Sequence, residues 1–373
     1  MLFNLISDKV KFLLVTTILL SNLITFSQAN CYKETEVIPS GRQIYMIGEE
    51  HLDNPIRERT IDEMAIIKSM ALSEDAIRKH LTTNCKVTHF IMESPVFTEY
   101  FYNKFISTGD TSWLHYSIEG QQYQMSKIFS VAELAMDNPA IKLHCIDLDF
   151  DKYNTSVINT LFFVSFYESI PELFNHPANA GKNAFNLLFD EKIIWSSTAM
   201  NDTIKPFLAY ILNAAAKYQD TSSLQMLMVF QSVIKDQTLL IGLKNFYKEN
   251  FEYVYRLMCS FIYSYKVDIN TDEGFRRREY ILYSNFMEQF NKDPYSNYCL
   301  QMGAFHVLEN DNPDVMRNFL DRKFYTSPYV ILMLPYSYLG EFSNALNRLD
   351  FNFSGCCCLQ YITVNESCYL IKN

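Results

Sequence analysis

Two short stretches carry the residue types that do chemistry. Residues 48–51 read Gly-Glu-Glu-His and residues 303–306 read Gly-Ala-Phe-His, each following an apolar run. Ten glycines and seven histidines in 373 residues give roughly 0.2 GxxH matches by chance. Two occur, each at the end of an expected strand, so His51 and His306 are taken as a pair. An imidazole there can serve as base, acid or metal ligand. Glu49 can orient such a ring, bind a cation or cap a helix, and Gly48 would allow a tight turn at the strand tip. "HFIMESP" sets Glu93 at a further strand tip, and "GFRRREYILYSNF" places Arg276, Arg277 and Arg278 beside Glu279 near a helix start. An arginine there can clamp a carboxylate or stabilise an oxyanion.

These groups need a scaffold. "QIYMIG" (43–48), "VTHFIME" (87–93), "KLHCIDLD" (142–149), "YCLQMGAF" (298–305) and "YVILMLP" (329–335) are continuous apolar runs, the pattern of strands covered on both faces. Helical spacing of apolar residues between 60 and 81 makes a βαβ unit of the first two. From about 153 to 292 the chain reads as a helical insertion packed over the sheet, with helices over 202–218 and 272–290. The expected fold is α/β: a single domain with a central mixed, largely parallel sheet and helices on both faces. Side chains at the carboxyl ends of such strands converge, which is where functional groups collect.

Composition narrows the function. A formal charge of −10 excludes a nucleic-acid surface, which must be basic. Lys9 and Lys11, the uncharged stretch 12–28 and Ser27-Gln28-Ala29 read as a signal peptide over 1–29, with the mature domain over 30–373 and a secreted or periplasmic destination. A membrane enters only if that segment is retained. Nine cysteines, an odd number that includes Cys356-Cys357-Cys358, give no readable connectivity, although Cys368 is a plausible partner for one of the three. GxSxG, HExxH, GxGxxG and GxxxxGK are all missing. His80, His89, His115, His144 and His176 read as structural or surface residues. Asp147, Asp149 and Asp151 read as a solvated strand end rather than a source of a pocket carboxylate.

The order of islands resembles a superfamily. GExH, a strand ending in Glu, an Arg-acidic pair opening a helix, then GxxH: this is similar to the group joining erythromycin esterase-like enzymes, ChaN-like haem-binding lipoproteins and the Tiki and TraB proteins. "GEEHLDNP", "RREYILYSNF" and "GAFHV" carry the resemblance over about 43–335. It implies a site of His51, Glu93, Arg278 and His306, with Glu49 behind them. It also implies that a divalent metal (Mn, Co or Zn), if used, would sit on His51, Glu93 and His306. Arg57 and Glu58 stand where the haem-binding type carries paired histidines. The resulting first reading is a secreted hydrolase of ester or peptide bonds, acting on a small molecule or peptide. The alternatives are a haem- or apolar-ligand-binding protein on the same scaffold, and a member kept for interaction alone.

Overall fold

The computed structural model describes residues 42–49, 74–116, 127–148, 202, 205–206, 223–265, 271–307, 315–324, 328–333 and 368–371. The expected leader, His51, the helix over 202–218 apart from three residues, and Cys356–Cys358 lie outside them.

Each of the five apolar runs is a strand. These are β1 (Ile44–Glu49), β2 (Val87–Pro95), β3 (Lys142–Asp147), β4 (Asn297–Gly303) and β5 (Tyr329–Met333). They form one sheet in the order β3-β2-β4-β1-β5, all parallel, and β6 (Cys368–Ile371) is added antiparallel on β5. The sheet is therefore mixed and largely parallel, as expected. The first two strands are not a closed βαβ pair, because β4 lies between β1 and β2. That insertion brings the two GxxH-bearing strands side by side, with Glu49 level with Gly303. Gly48 is not a turn residue but an interior strand residue between Met302 and Leu332.

Alternation divides the strands' apolar side chains between two cores. Tyr45, Ile47, Phe90, Met92, Leu143, Cys145, Cys299 and Ile331 face one side. There they meet helix α1, described over 74–83, α2 (Val96–Thr108) and α3 (Lys127–Asp137) through Ile77, Leu81, Phe105, Val131 and Ala135. Ile44, Met46, Ile91, Ile146, Tyr298, Leu300 and Met302 face the other side. The remaining helices described are α4 (Ser223–Lys235), α5 (Gln237–Tyr247), α6 (Phe251–Ser264), α7 (Asp272–Lys292), α8 (Ala304–Val307) and α9 (Met316–Lys323). Leu282, Phe286 and Phe290 of α7 and Leu320 of α9 close the second core. Burying a Phe or Leu in this way contributes about 2 kcal/mol, which is what seats α7 on the sheet.

Helix α7 begins where the sequence sets it. Thr271 caps Gly274 N at 3.0 Å, Asp272 and Glu273 occupy the first turn, and Lys292 stands in the last. The outer edge of β3 is closed by side chains. Glu99 accepts from Cys145 N at 2.8 Å, and Arg256 donates to the Cys145 carbonyl at 2.8 Å while pairing with Glu99 at 3.0 Å. This buried pair ties α2 and α6 to the sheet and satisfies an edge that would otherwise pair with another chain.

Candidate functional site

At the carboxyl ends of β2, β3 and β4 the fold gathers five ionisable side chains. Glu93 sits where the β2–β3 register slips between Met92 and Pro95. Its Oε1 accepts from Arg278 Nη2 at 2.5 Å and faces His306 Nε2 at 3.0 Å, while its Oε2 accepts from Gly303 N at 2.5 Å. Asp147 at the tip of β3 takes the Arg278 guanidinium as a fork. Nε donates to Oδ1 at 3.0 Å and Nη2 donates to Oδ2. On the far side of the histidine, Nδ1 lies against Glu279 Oε1 as an ion pair without hydrogen-bond geometry, and Phe275 stacks over the ring. Glu279 is fully buried, and its Oε2 accepts from Met316 N at 2.7 Å.

The charges explain the arrangement. Three carboxylates surround two cations, and the excess negative charge is met by the backbone N–H groups of Gly303, Met316 and Leu148. Burial alone would lower the His306 pKa, but Glu93 and Glu279 outweigh it and hold the ring at about 10. Burial likewise works against the Arg278 charge, and Asp147 and Glu93 overcome it, so its pKa is raised further. At neutral pH His306 is therefore an imidazolium clamped between two carboxylates. Of the roles open to a motif histidine, an imidazolium can fill those of an acid or an anchor.

The same geometry bears on a metal. A ligating imidazole must offer a neutral nitrogen, and both His306 nitrogens face carboxylates. Glu93 already accepts from Arg278 and Gly303 and faces His306. Among the described residues no group of three or more His, Cys, Asp or Glu is arranged to hold a metal ion. Glu93 and His306 in this arrangement do not fit a divalent cation. His306 does not fit an axial haem ligand either.

Glu49 belongs to a second buried network, on the α1 and α3 side of the sheet. Its Oε1 pairs with Lys127 Nζ, and its Oε2 accepts from Gln301 Nε2 at 2.8 Å. Gln301 also donates to Glu74 at 3.0 Å and accepts from Arg78 Nε at 3.1 Å, and Arg78 holds Glu74 at 2.5 Å. Thus both faces of the β4 tip carry carboxylate–cation groups, tied to Glu49 on one side and Glu93 on the other.

Glu93, Arg278 and His306, far apart in the chain, are brought into contact. Of the three adjacent arginines only Arg278 turns inward, while Arg276 and Arg277 are exposed and Arg277 pairs with Glu273. Asp147 corrects the sequence reading: it is 5% exposed and binds Arg278, and is no solvated strand end. Glu279, next to Arg278 in sequence, is a site residue to which no motif gave a role. Consecutive helical residues lie about 100° apart, so Arg278 reaches Glu93 and Asp147 while Glu279 meets His306. Gln301 carried a legible signal, being a polar residue inside an otherwise apolar buried strand. His89 and His144 are structural, as expected: their rings stack 5.4 Å apart, and His89 faces Asp293 while His144 pairs with Glu99.

No protein-family model and no curated protein sequence matches the chain. Three solved structures are similar to it. One is an erythromycin esterase mutant in its open conformation, at 10% identity over 80% of this chain and 70% of that one, with a TM-score of 0.42. A Bacillus cereus protein gives 11% identity, 76% and 65% coverage and a TM-score of 0.38. A succinoglycan biosynthesis protein gives 14%, 79% and 69%, with a TM-score of 0.35.

Proposed function

We propose that this chain is a hydrolase, acting outside the cytoplasm after loss of its leader, which cleaves an ester bond without a metal. The observation that carries the reading is the Glu93–Arg278–His306 contact at the strand tips. Three residues singled out by motif order alone meet in one charged cluster next to the strand that leads into His51. Ester is preferred to peptide because alkoxide departure asks less of a site whose described histidine is already a fixed cation.

In this reading His51 is the base. It takes a proton from water, the hydroxyl oxygen bonds to the ester carbonyl carbon, and the carbonyl electron pair moves onto oxygen. Arg278, whose side chain is 16% exposed, stabilises that oxyanion. As the tetrahedral intermediate collapses, the carbon–alkoxide bond breaks and His51 returns its proton to the leaving oxygen. His306 and Asp147 are positioning residues: they fix Glu93 and the guanidinium so that neither reorganises during the reaction.

Turnover of a panel of p-nitrophenyl esters by the full chain tests this. His51→Ala should abolish hydrolysis. Arg278→Lys, which keeps the charge and loses the fork, should lower kcat by about 100-fold, the scale of one preorganised oxyanion donor, with KM nearly unchanged. Chelator should have no effect. Undiminished turnover in both variants would overturn the proposal.

A further inference from the structure

Helix α8 is a single turn laid on the ends of β1, β4 and β5. Of its four residues Ala304, His306 and Val307 are buried, while Phe305 is 63% exposed. Neighbouring helical residues lie about 100° apart, so the turn that sends His306 inward to Glu93 and Glu279 sends Phe305 outward. A single exposed aromatic is ordinary on most of a protein surface. Position distinguishes this one. Of the large apolar side chains exposed among the described residues, Phe305 alone stands just past the carboxyl end of a strand. Tyr295, 64% exposed, stands at the opposite, amino end of the same strand.

Strand β4 lies between β2, which carries Glu93, and β1, which leads into His51. Phe305 therefore sits over the middle of the strand tips where the charged cluster is built. Arg278 shares Glu93 Oε1 with His306, and its side chain is 16% exposed, against 5% for each of those two partners. Phe275, half-buried in the first turn of α7, stacks over the His306 ring. Two phenyl rings thus border the cluster, one covering the imidazole and one open to solvent. Small-molecule sites use aromatic faces of this kind, around a few polar groups, to hold the unreactive part of the ligand.

We infer that Phe305 is a specificity-determining residue that receives a hydrocarbon portion of the ester cleaved beside Arg278. The inference rests on the hydrolase reading for the bond that is cleaved, and it names the substrate class: esters carrying an apolar chain on one side of the carbonyl. A ring open on one side removes water from about half of each methylene laid on it. Full transfer favours binding by about fourfold per methylene, so contact with one face should give about twofold.

The full chain is assayed on p-nitrophenyl acetate, butyrate and hexanoate, which lengthen the acyl side, and on ethyl and hexyl acetate, which lengthen the alcohol side. Four added methylenes should raise kcat/KM by about 16-fold in one series, chiefly through KM. That series identifies the side that Phe305 receives. Phe305→Ala should flatten the preference to about twofold or less, and Phe305→Leu should retain part of it. Tyr295→Ala should leave it as in the wild type. A preference that survives Phe305→Ala, or that Tyr295→Ala removes equally, would overturn the inference and leave ester hydrolysis in place. Saturation-transfer NMR with heptan-2-one, which has a methylene where butyl acetate has its bridging oxygen, reads the contact without turnover. The alkyl protons should receive saturation from the wild type and from Tyr295→Ala, and much less from Phe305→Ala. That pattern with no hydrolysis of any ester would sink the hydrolase reading alone and support the apolar contact. Equal saturation from all three proteins would overturn the contact itself.

Discussion

Replacing Glu279 by Gln tests how His306 is held. Two carboxylates raise its pKa from an ordinary 6.5 to about 10 against the opposing effect of burial. Between those values the folded chain binds a proton that the unfolded chain releases. Stability is therefore fully present below pH 6.5 and falls as pH rises towards 10, by up to about 1.4 kcal/mol per pH unit. At pH 7 the retained contribution is on the order of 4 kcal/mol. Glu279→Gln keeps an oxygen for Met316 N and removes one of the two charges facing the ring, so the His306 pKa should drop towards its ordinary value. Urea unfolding of both proteins from pH 6 to pH 10 should show a gap in stability that is widest at pH 6 and closes near pH 10. Other groups titrate alike in both proteins and cancel in the difference. In parallel, the His306 Cε1 proton of the wild type should not titrate between pH 5 and pH 8.5 by NMR. A ring that titrates near 6.5, or a stability gap independent of pH, would refute the clamp.

Two further predictions concern β2, β3 and the helices packed on them. Burial and the neighbouring His144 lower the His89 pKa to about 4, so the folded chain resists a proton that the unfolded chain takes up. Stability should then be complete above pH 6.5 and decline as pH falls towards 4, by roughly 1–3 kcal/mol; urea titrations should show a flatter profile for His89→Phe. Arg256→Met leaves Glu99 buried beneath the β3 edge without its guanidinium, and should cost about 3–5 kcal/mol, read as a lower urea midpoint at unchanged slope.

The two faces of the β4 tip differ in what each asks of its residues. Around Gln301 a neutral amide bridges the side chains of Glu49, Glu74 and Arg78. Around Glu93 and Glu279 the balance is completed by backbone N–H groups at Gly303 and Met316. Backbone donors do not move with a rotamer, so these two carboxylates are held more rigidly than side chains alone would hold them. This contrast assigns Glu93 and Glu279 to fixing the cations and Glu49 to tying β1 to α1 and α3.

The sequence by itself determined the local elements and part of the site. Continuous apolar runs of strand length, bounded by polar or turn residues, marked the five strands, and the helical pattern from Asp272 marked where α7 begins. Of the residues named by the GxxH spacing and the islands between the two copies, Glu93 meets Arg278 and His306, while His51 lies outside the described residues. Strand order was not legible, because pairing is decided by which faces bury together, and every apolar parallel strand presents the same pattern to its neighbours. Hence β4 between β1 and β2 came only with the tertiary structure. The same is true of Asp147, whose pattern suits solvent as well as an arginine, and of the protonation of His306. A histidine's role depends on the charges that packing brings within 3–4 Å, and a linear sequence does not contain those distances.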